Sequence, residues 1–159
     1  MRRRTSLIGL CLVTLLGATP SPAAAGEWRP FEGDVKAIWD NIFLGLVAPP
    51  AKFTGGGPVT HMGKTKQVGT LFLQAAVAPG IYPGNGAVTI TAEDGDKLTF
   101  VYGGLLDANT GVGSGTFIFT GGTGKFAHAT GGGTFYAEID LSLPTLQPMT
   151  VDLDGRIKF

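Results

Sequence analysis

Residues 87–102 read Ala87-Val-Thr-Ile-Thr-Ala-Glu-Asp-Gly-Asp-Lys-Leu-Thr-Phe-Val-Tyr102. Two runs rich in β-branched and aromatic residues, 87–93 and 97–102, flank the tripeptide Asp94-Gly95-Asp96. Such runs favour strands, and Asp-Gly supplies the positive φ that a tight hairpin turn requires. The stretch therefore predicts two adjacent antiparallel strands.

A second pair of strands is predicted at 115–120 and 133–141, on either side of the glycine-dense segment 121–132. Successive side chains of a strand point to opposite faces. In 133–141 one face carries Phe135, Ala137, Ile139 and Leu141, and the other carries Thr134, Tyr136, Glu138 and Asp140. One face is therefore expected to be dry and the other to contact water.

Further strands are predicted at 31–38, 59–64, 68–77 and 149–159, which brings the total to about eight. Eight sequential antiparallel strands close readily into an up-and-down barrel, because closure removes exposed edges. We therefore predict an all-β fold, a small antiparallel eight-stranded barrel, with a β-sandwich as the alternative. Segment 39–58 is expected to be irregular, either a loop or helical turn that plugs one end of the barrel or a lid over a ligand cavity.

The N-terminal 25 residues have the pattern of a secretory signal peptide. Three arginines, Arg2 to Arg4, precede the apolar run 7–17, and the small residues 23–25 suit signal peptidase. We predict cleavage after Ala25, a mature barrel domain spanning 26–159, and a secreted or periplasmic location. The apolar run is too short to span a bilayer, and we expect no stable membrane span in the mature protein.

Charge and cysteine content narrow the classes of partner. The whole chain has twelve basic and twelve acidic residues, and the three arginines leave with the signal peptide, so the mature formal charge is −3. A mildly acidic domain without a basic patch is not expected to bind nucleic acid. The one cysteine, Cys11, also leaves, which excludes disulfides and thiolate metal ligands from the mature domain.

No motif predicts a cofactor, a metal site or hydrolysis. Lys125 follows a glycine as in a phosphate loop, but Phe126 stands where that loop needs Ser or Thr. The histidines, His61 and His128, have no paired ligand at a metal-site spacing, and the chain has no Gly-x-Ser-x-Gly nucleophile elbow. Catalytic residues therefore stay unassigned.

The string Gly115-Thr-Phe-Ile-Phe-Thr-Gly-Gly-Thr-Gly-Lys-Phe-Ala-His-Ala-Thr-Gly131 resembles a signature of the allene oxide cyclase barrel and of dirigent proteins, including secreted bacterial relatives. The earlier Val59-Thr-His-Met-Gly-Lys64 resembles a stretch of those bacterial relatives. The resemblance implies an eight-stranded, calycin-like barrel. It also implies a lumen that can hold or steer a substrate, but no catalytic residue of those families can be assigned to a position here.

Three functions are open at this point. The first is binding of an apolar small molecule in the lumen, the second is an isomerase or cyclase that steers a bound substrate, and the third is a structural or protein-interaction barrel with a packed core. Homo-oligomerisation is open in each case. The side chains predicted to line a ligand site are Phe100, Tyr102, Phe117, Phe119, Phe135, His61 and Glu138.

Overall fold

The computed structural model describes residues 26–46 and 50–159. The predicted signal peptide lies outside the described residues. The eight strands are β1 (Arg29–Trp39), β2 (Ala51–Val59), β3 (Gly63–Leu73), β4 (Ile81–Thr91), β5 (Lys97–Asp107), β6 (Val112–Gly122), β7 (Thr130–Ile139) and β8 (Gln147–Lys158). Two short 3-10 helices, Ile42–Leu46 and Gly124–Phe126, lie in connections between strands.

The strands form one closed antiparallel barrel. Each strand pairs with its neighbours in the chain, and β1 pairs with β8 along its whole length, from Arg29 opposite Ile157 to Trp39 opposite Gln147. The prediction of an all-β, eight-stranded antiparallel barrel is confirmed, and the sandwich alternative is wrong.

The two hairpins predicted from the sequence are present. Strands β4 and β5 pair from Thr91 opposite Lys97 outward, with Gly95 at a φ of 92° in the turn. In β7 the side chains of Ala137 and Ile139 are buried, whereas Tyr136 and Glu138 are exposed. The predicted dry and wet faces of this strand are therefore correct.

Several predicted boundaries are wrong. Strand β4 begins at Ile81 rather than at position 87, β5 ends at Asp107 rather than at 102, and β7 spans Thr130–Ile139 rather than 133–141. Other differences lie near the start of the barrel. Strand β2 occupies 51–59, within the segment 39–58 that was expected to be irregular. Residues 60–62, expected in a strand 59–64, form the turn into β3, and β3 ends at Leu73 rather than continuing to position 77. The glycines of β2 are needed because the strands approach closely there: a Cβ on Gly57 would overlap the carbonyl oxygen of Asp34 in β1.

The two ends of the barrel differ. Connections 60–62, 92–96 and 123–129 lie at one end, which we call the closed end. Residues 40–46 and 50 and the connections 74–80, 108–111 and 140–146 lie at the other, the mouth end. Among the described residues, none belongs to a helix with the length and apolarity that crossing a membrane would take.

Candidate functional site

An aromatic cluster fills the lumen next to the closed end. The ring of Phe31 in β1 contacts Phe119 in β6 at 4.8 Å between centroids, and Phe117 packs against Phe100 at 5.1 Å. Below them, the fully buried Phe126 closes the barrel. The Phe31–Phe119 pair is edge-to-face, an arrangement that is favourable beyond the area it buries. The closed end therefore offers no route to the lumen.

The mouth half of the lumen is not filled. It contains a cavity of about 90 Å³. Its wall is almost entirely aliphatic and aromatic, and includes Val35, Leu71, Leu73, Val88, Leu106 and Leu153. Small eight-stranded barrels can be filled by their own side chains, so an unfilled region needs a structural reason.

Small residues at inward positions provide that reason. Gly84, Gly104 and Gly113 lie on the cavity wall in β4, β5 and β6, and Ala137 faces Gly113 from β7. A Cβ built on Gly113 would meet its nearest atom, the Cβ of Ala137, at 3.7 Å, an ordinary contact. The strand itself would therefore accept a side chain at position 113, and its absence leaves part of the cavity open.

Tyr102 lies on the cavity wall, and its hydroxyl group has a hydrogen-bond partner within the protein. The hydroxyl donates to the backbone carbonyl of Thr70 at 2.9 Å, and the ring lies over Gly86, where a Cβ would contact it at 2.8 Å. Burial raises the pKa of Tyr102 above its usual value of 10.0, so the phenol stays protonated at neutral pH. Tyr102 therefore shapes the cavity and does not act as a base in it.

The cavity wall contains two other polar side chains. The indole N–H of Trp39 donates to the Sδ of Met149 at 3.0 Å, a weak hydrogen bond to a thioether. Gln67, in β3, is only 4 % exposed. Its Nε2 is the buried side-chain nitrogen without a hydrogen-bond partner among the described residues.

A short helix covers the mouth end. The first 3-10 helix, Ile42–Leu46, places the buried side chain of Ile42 on the cavity wall. The backbone N–H of Ile42 donates to Oε1 of Gln147 at 2.9 Å, and Nε2 of the same amide donates to the carbonyl of Leu143 at 3.1 Å. Gln147 is 1 % exposed. Its amide therefore fastens the helix to the connection between β7 and β8.

The structure separates the predicted ligand-site residues into three groups. Phe100, Tyr102 and Phe135 lie on the cavity wall. Phe117 and Phe119 lie in the aromatic cluster of the closed end, which Phe100 also contacts, but not on the cavity wall. His61 and Glu138 are exposed on the outside of the barrel, so their prediction as lumen residues is wrong.

The predictions for His61 and Glu138 fail for different reasons. His61 was expected in a strand, but it lies in the turn between β2 and β3 with a φ of 64°, and its Nε2 is 2.9 Å from the carbonyl oxygen of Pro30. Glu138 lies on the outer face of β7, where Tyr136 donates to it at 3.3 Å. In the described part of the chain, no three histidine, cysteine or acidic side chains come together as a metal site would require.

Sequence reasoning missed most of the cavity wall, including the polar residue Gln67. The alternation of β3 places Gln67 in phase with Leu71 and Leu73, and this signal could have shown a polar group among apolar inward positions. Because the strand was predicted to begin at position 68, Gln67 fell outside it.

Comparison with models of known protein families and with curated proteins gives no match. Among solved structures, one pterocarpan synthase dirigent protein is 14% identical in sequence with a TM-score of 0.51, over 86% of this chain and 97% of that one. A second pterocarpan synthase dirigent protein is 10% identical with a TM-score of 0.47, over 87% and 89% of the two chains. The predicted likeness to the allene oxide cyclase barrel and to bacterial relatives stays a prediction. The chain thus has the fold of an eight-stranded dirigent-like barrel.

Proposed function

We propose that this protein binds a small, largely apolar molecule in the cavity at the mouth end of its barrel. The observation that carries the proposal is the unfilled lumen: about 90 Å³ of space with an aliphatic and aromatic wall. Ligand sites in proteins are concave and mostly apolar, with few polar groups that fix orientation. If the predicted signal peptide directs export, this binding takes place outside the cytoplasm.

The size of the cavity limits the ligand. An apolar protein cavity of about 150 Å³ holds benzene, so a space of about 90 Å³ accepts one small ring only with a slight outward movement of its wall. A longer molecule requires movement of the 3-10 helix Ile42–Leu46, which covers the mouth. We therefore infer that the compact end of the ligand, a single ring or a short branched chain, occupies the cavity.

Binding has more support than catalysis. The titratable side chain on the described cavity wall is Tyr102, and its hydroxyl is bonded to Thr70 with a raised pKa. General acid–base catalysis needs a group whose pKa lies near the working pH. An isomerase or cyclase of the steering kind would have to act by the shape of the cavity alone. It would also have to bind its substrate there, and the binding experiment below tests that step.

The test is a substitution on the cavity wall whose side chain occupies the cavity. Gly113→Val places three carbon atoms in the cavity, and the Cβ environment of Gly113 accepts them. Gly103→Val is the matched control: Gly103 is on the outer face of the neighbouring strand β5, with the nearest atom to a built Cβ at 3.8 Å. A β-branched residue in place of a strand glycine should keep or raise stability in both variants.

Fluorobenzene, observed by fluorine NMR, is the ring-sized probe. Wild type and Gly103→Val should bind it with the same affinity, and Gly113→Val should bind it at least about tenfold more weakly, because the added methyl groups occupy the site. Equal binding by Gly113→Val, or no saturable binding by wild type, would show that the lumen is not a ligand site.

A further inference from the structure

Gln67 is a buried polar residue whose neighbours give it little to bond with. It lies at an inward position of β3, opposite Gly55 of β2 and Ile90 of β4, and it is 4 % exposed. Gly55 has no side chain and the side chain of Ile90 is apolar. Across the cavity, the wall is aliphatic and aromatic.

The other polar groups nearby are already engaged. Trp39 donates to Met149 and Tyr102 donates to Thr70, so both polar groups that share the cavity wall with Gln67 have partners. Thr65, two residues earlier on the same face of β3, donates to the carbonyl of Gly57 at 2.9 Å. Nε2 of Gln67 is the buried side-chain nitrogen left without a partner within residues 26–46 and 50–159.

An unpartnered buried amide lowers stability. It has lost its hydrogen bonds to water and gained none in the fold, so an apolar residue of the same shape would suit this wall better. A buried polar group of this kind needs a partner from outside the chain, either a bound water or a ligand. The position of Gln67 on the wall of an otherwise apolar cavity favours a ligand.

We propose that Gln67 is the polar anchor of the lumen: on binding, its side-chain amide turns to bring the enclosed Nε2 to the cavity, where Nε2 donates to the one oxygen acceptor of a neutral, compact, apolar ligand. Ketones, aldehydes, esters and ethers have such an oxygen. A carboxylate does not fit, because the apolar wall offers no counter-charge and burial of an unpaired charge is very unfavourable. This inference rests on the proposed binding function and adds the chemical class of the ligand.

The test compares two probes of equal shape, cyclohexanone and methylenecyclohexane, which differ in C=O against C=CH₂. Each is used to displace fluorobenzene, and the ratio of their affinities is measured in wild type and in Gln67→Met, which keeps the length of the side chain and removes the amide. In Gln67→Met, the ratio of the two affinities reflects only the difference in hydration free energy between the probes. The preference for the ketone should be about tenfold larger in wild type.

Two further measurements separate a ligand anchor from a structural residue. The melting temperature of Gln67→Met without ligand should rise, whereas a residue that stabilises the fold would give a decrease. In wild type, the infrared carbonyl stretch of bound cyclohexanone should lie at lower frequency than in hexane, as expected for a hydrogen-bonded ketone. If Gln67→Met does not fold, Gln67→Leu replaces it in the affinity-ratio and melting-temperature measurements.

Val68→Met is the control, since Val68 lies on the outer, exposed face of β3 and this change leaves the cavity wall and every polar group in place. It should keep the wild-type ratio. Fluorobenzene binding with equal ketone preference in wild type and Gln67→Met would overturn the anchor but leave the lumen as a binding site. Failure of wild type to bind any of the three probes would overturn both.

Discussion

Replacing Gly124 with alanine should destabilise the protein more than its exposed position suggests. Gly124 begins the second 3-10 helix with a φ of 55°, the left-handed region. A Cβ there would overlap the carboxylate of Asp96, which comes from the turn between β4 and β5. That carboxylate accepts a hydrogen bond from the backbone N–H of Lys125 at 3.0 Å. The substitution therefore strains the backbone and displaces Asp96.

The two effects can be added in rough terms. A left-handed conformation costs a non-glycine residue about 1–2 kcal/mol. Loss of one hydrogen bond in an exposed setting adds about 0.5–1 kcal/mol, the low end of the usual range. The free energy of unfolding should fall by about 1.5–3 kcal/mol, which corresponds to a melting temperature lower by roughly 5–11 °C for a domain of this size.

Gly95→Ala is the matched control for the strain alone. Gly95 also has a positive φ, of 92°, but a Cβ built there meets no atom within 4 Å. Urea unfolding followed by circular dichroism gives both free energies, and the same pair is measured in an Asp96→Ala background. The reasoning is refuted if Gly124→Ala costs no more than Gly95→Ala, or if removing Asp96 leaves the difference between them unchanged.

Two further predictions concern the ends of the barrel. Gln147→Leu removes the acceptor of the hydrogen bond from the buried Ile42 N–H. It should lower the free energy of unfolding by about 1–3 kcal/mol and speed hydrogen exchange at Ile42. Unchanged exchange at Ile42 would contradict the role of Gln147 at the mouth end. At the closed end, the hydrogen bond from the Lys125 ammonium, at 2.9 Å, holds the pKa of Asp94 below its usual 3.8. A depressed carboxylate pKa adds stability above pH 3.8, and that stability is lost as the pH falls through the lower, folded-state pKa. Lys125→Met should therefore return the pKa of Asp94, measured by NMR, toward 3.8 and reduce the loss of stability at acid pH. An unchanged pKa would show that the Lys125–Asp94 ion pair does not lower it.

The parts of the fold that could be predicted are those with a simple local signal. The Asp94-Gly95 turn and the alternation of β7 follow from backbone preferences and side-chain period, and both are correct in the structure. The strand β2 was not predictable in this way. Its run Gly55 to Gly57 suits a loop by composition, and only the close approach of β1 and β3 explains why glycine is required in a strand there.

The candidate site was less predictable than the fold. Phe100 and Phe117 have the same composition signal, both point inward and both belong to the aromatic cluster, yet of the two only Phe100 also lies on the cavity wall. What separates them is the position of inward glycines such as Gly84 and Gly113 on other strands, and that depends on the register between strands. A one-dimensional pattern identifies which face of a strand is buried but not which layer of the lumen is empty.

The pairing of β1 with β8 has a consequence for how the chain is made. Of the eight strands, β1 leaves the ribosome first and its second partner leaves last, so one edge of β1 stays open throughout synthesis. Unpaired strand edges are templates for intermolecular pairing. The contacts that close the barrel join residues more than a hundred positions apart, from Trp39 with Gln147 to Arg29 with Ile157. Such long-range closure is slow, and the growing chain therefore depends on its surroundings to keep that edge unoccupied until β8 arrives.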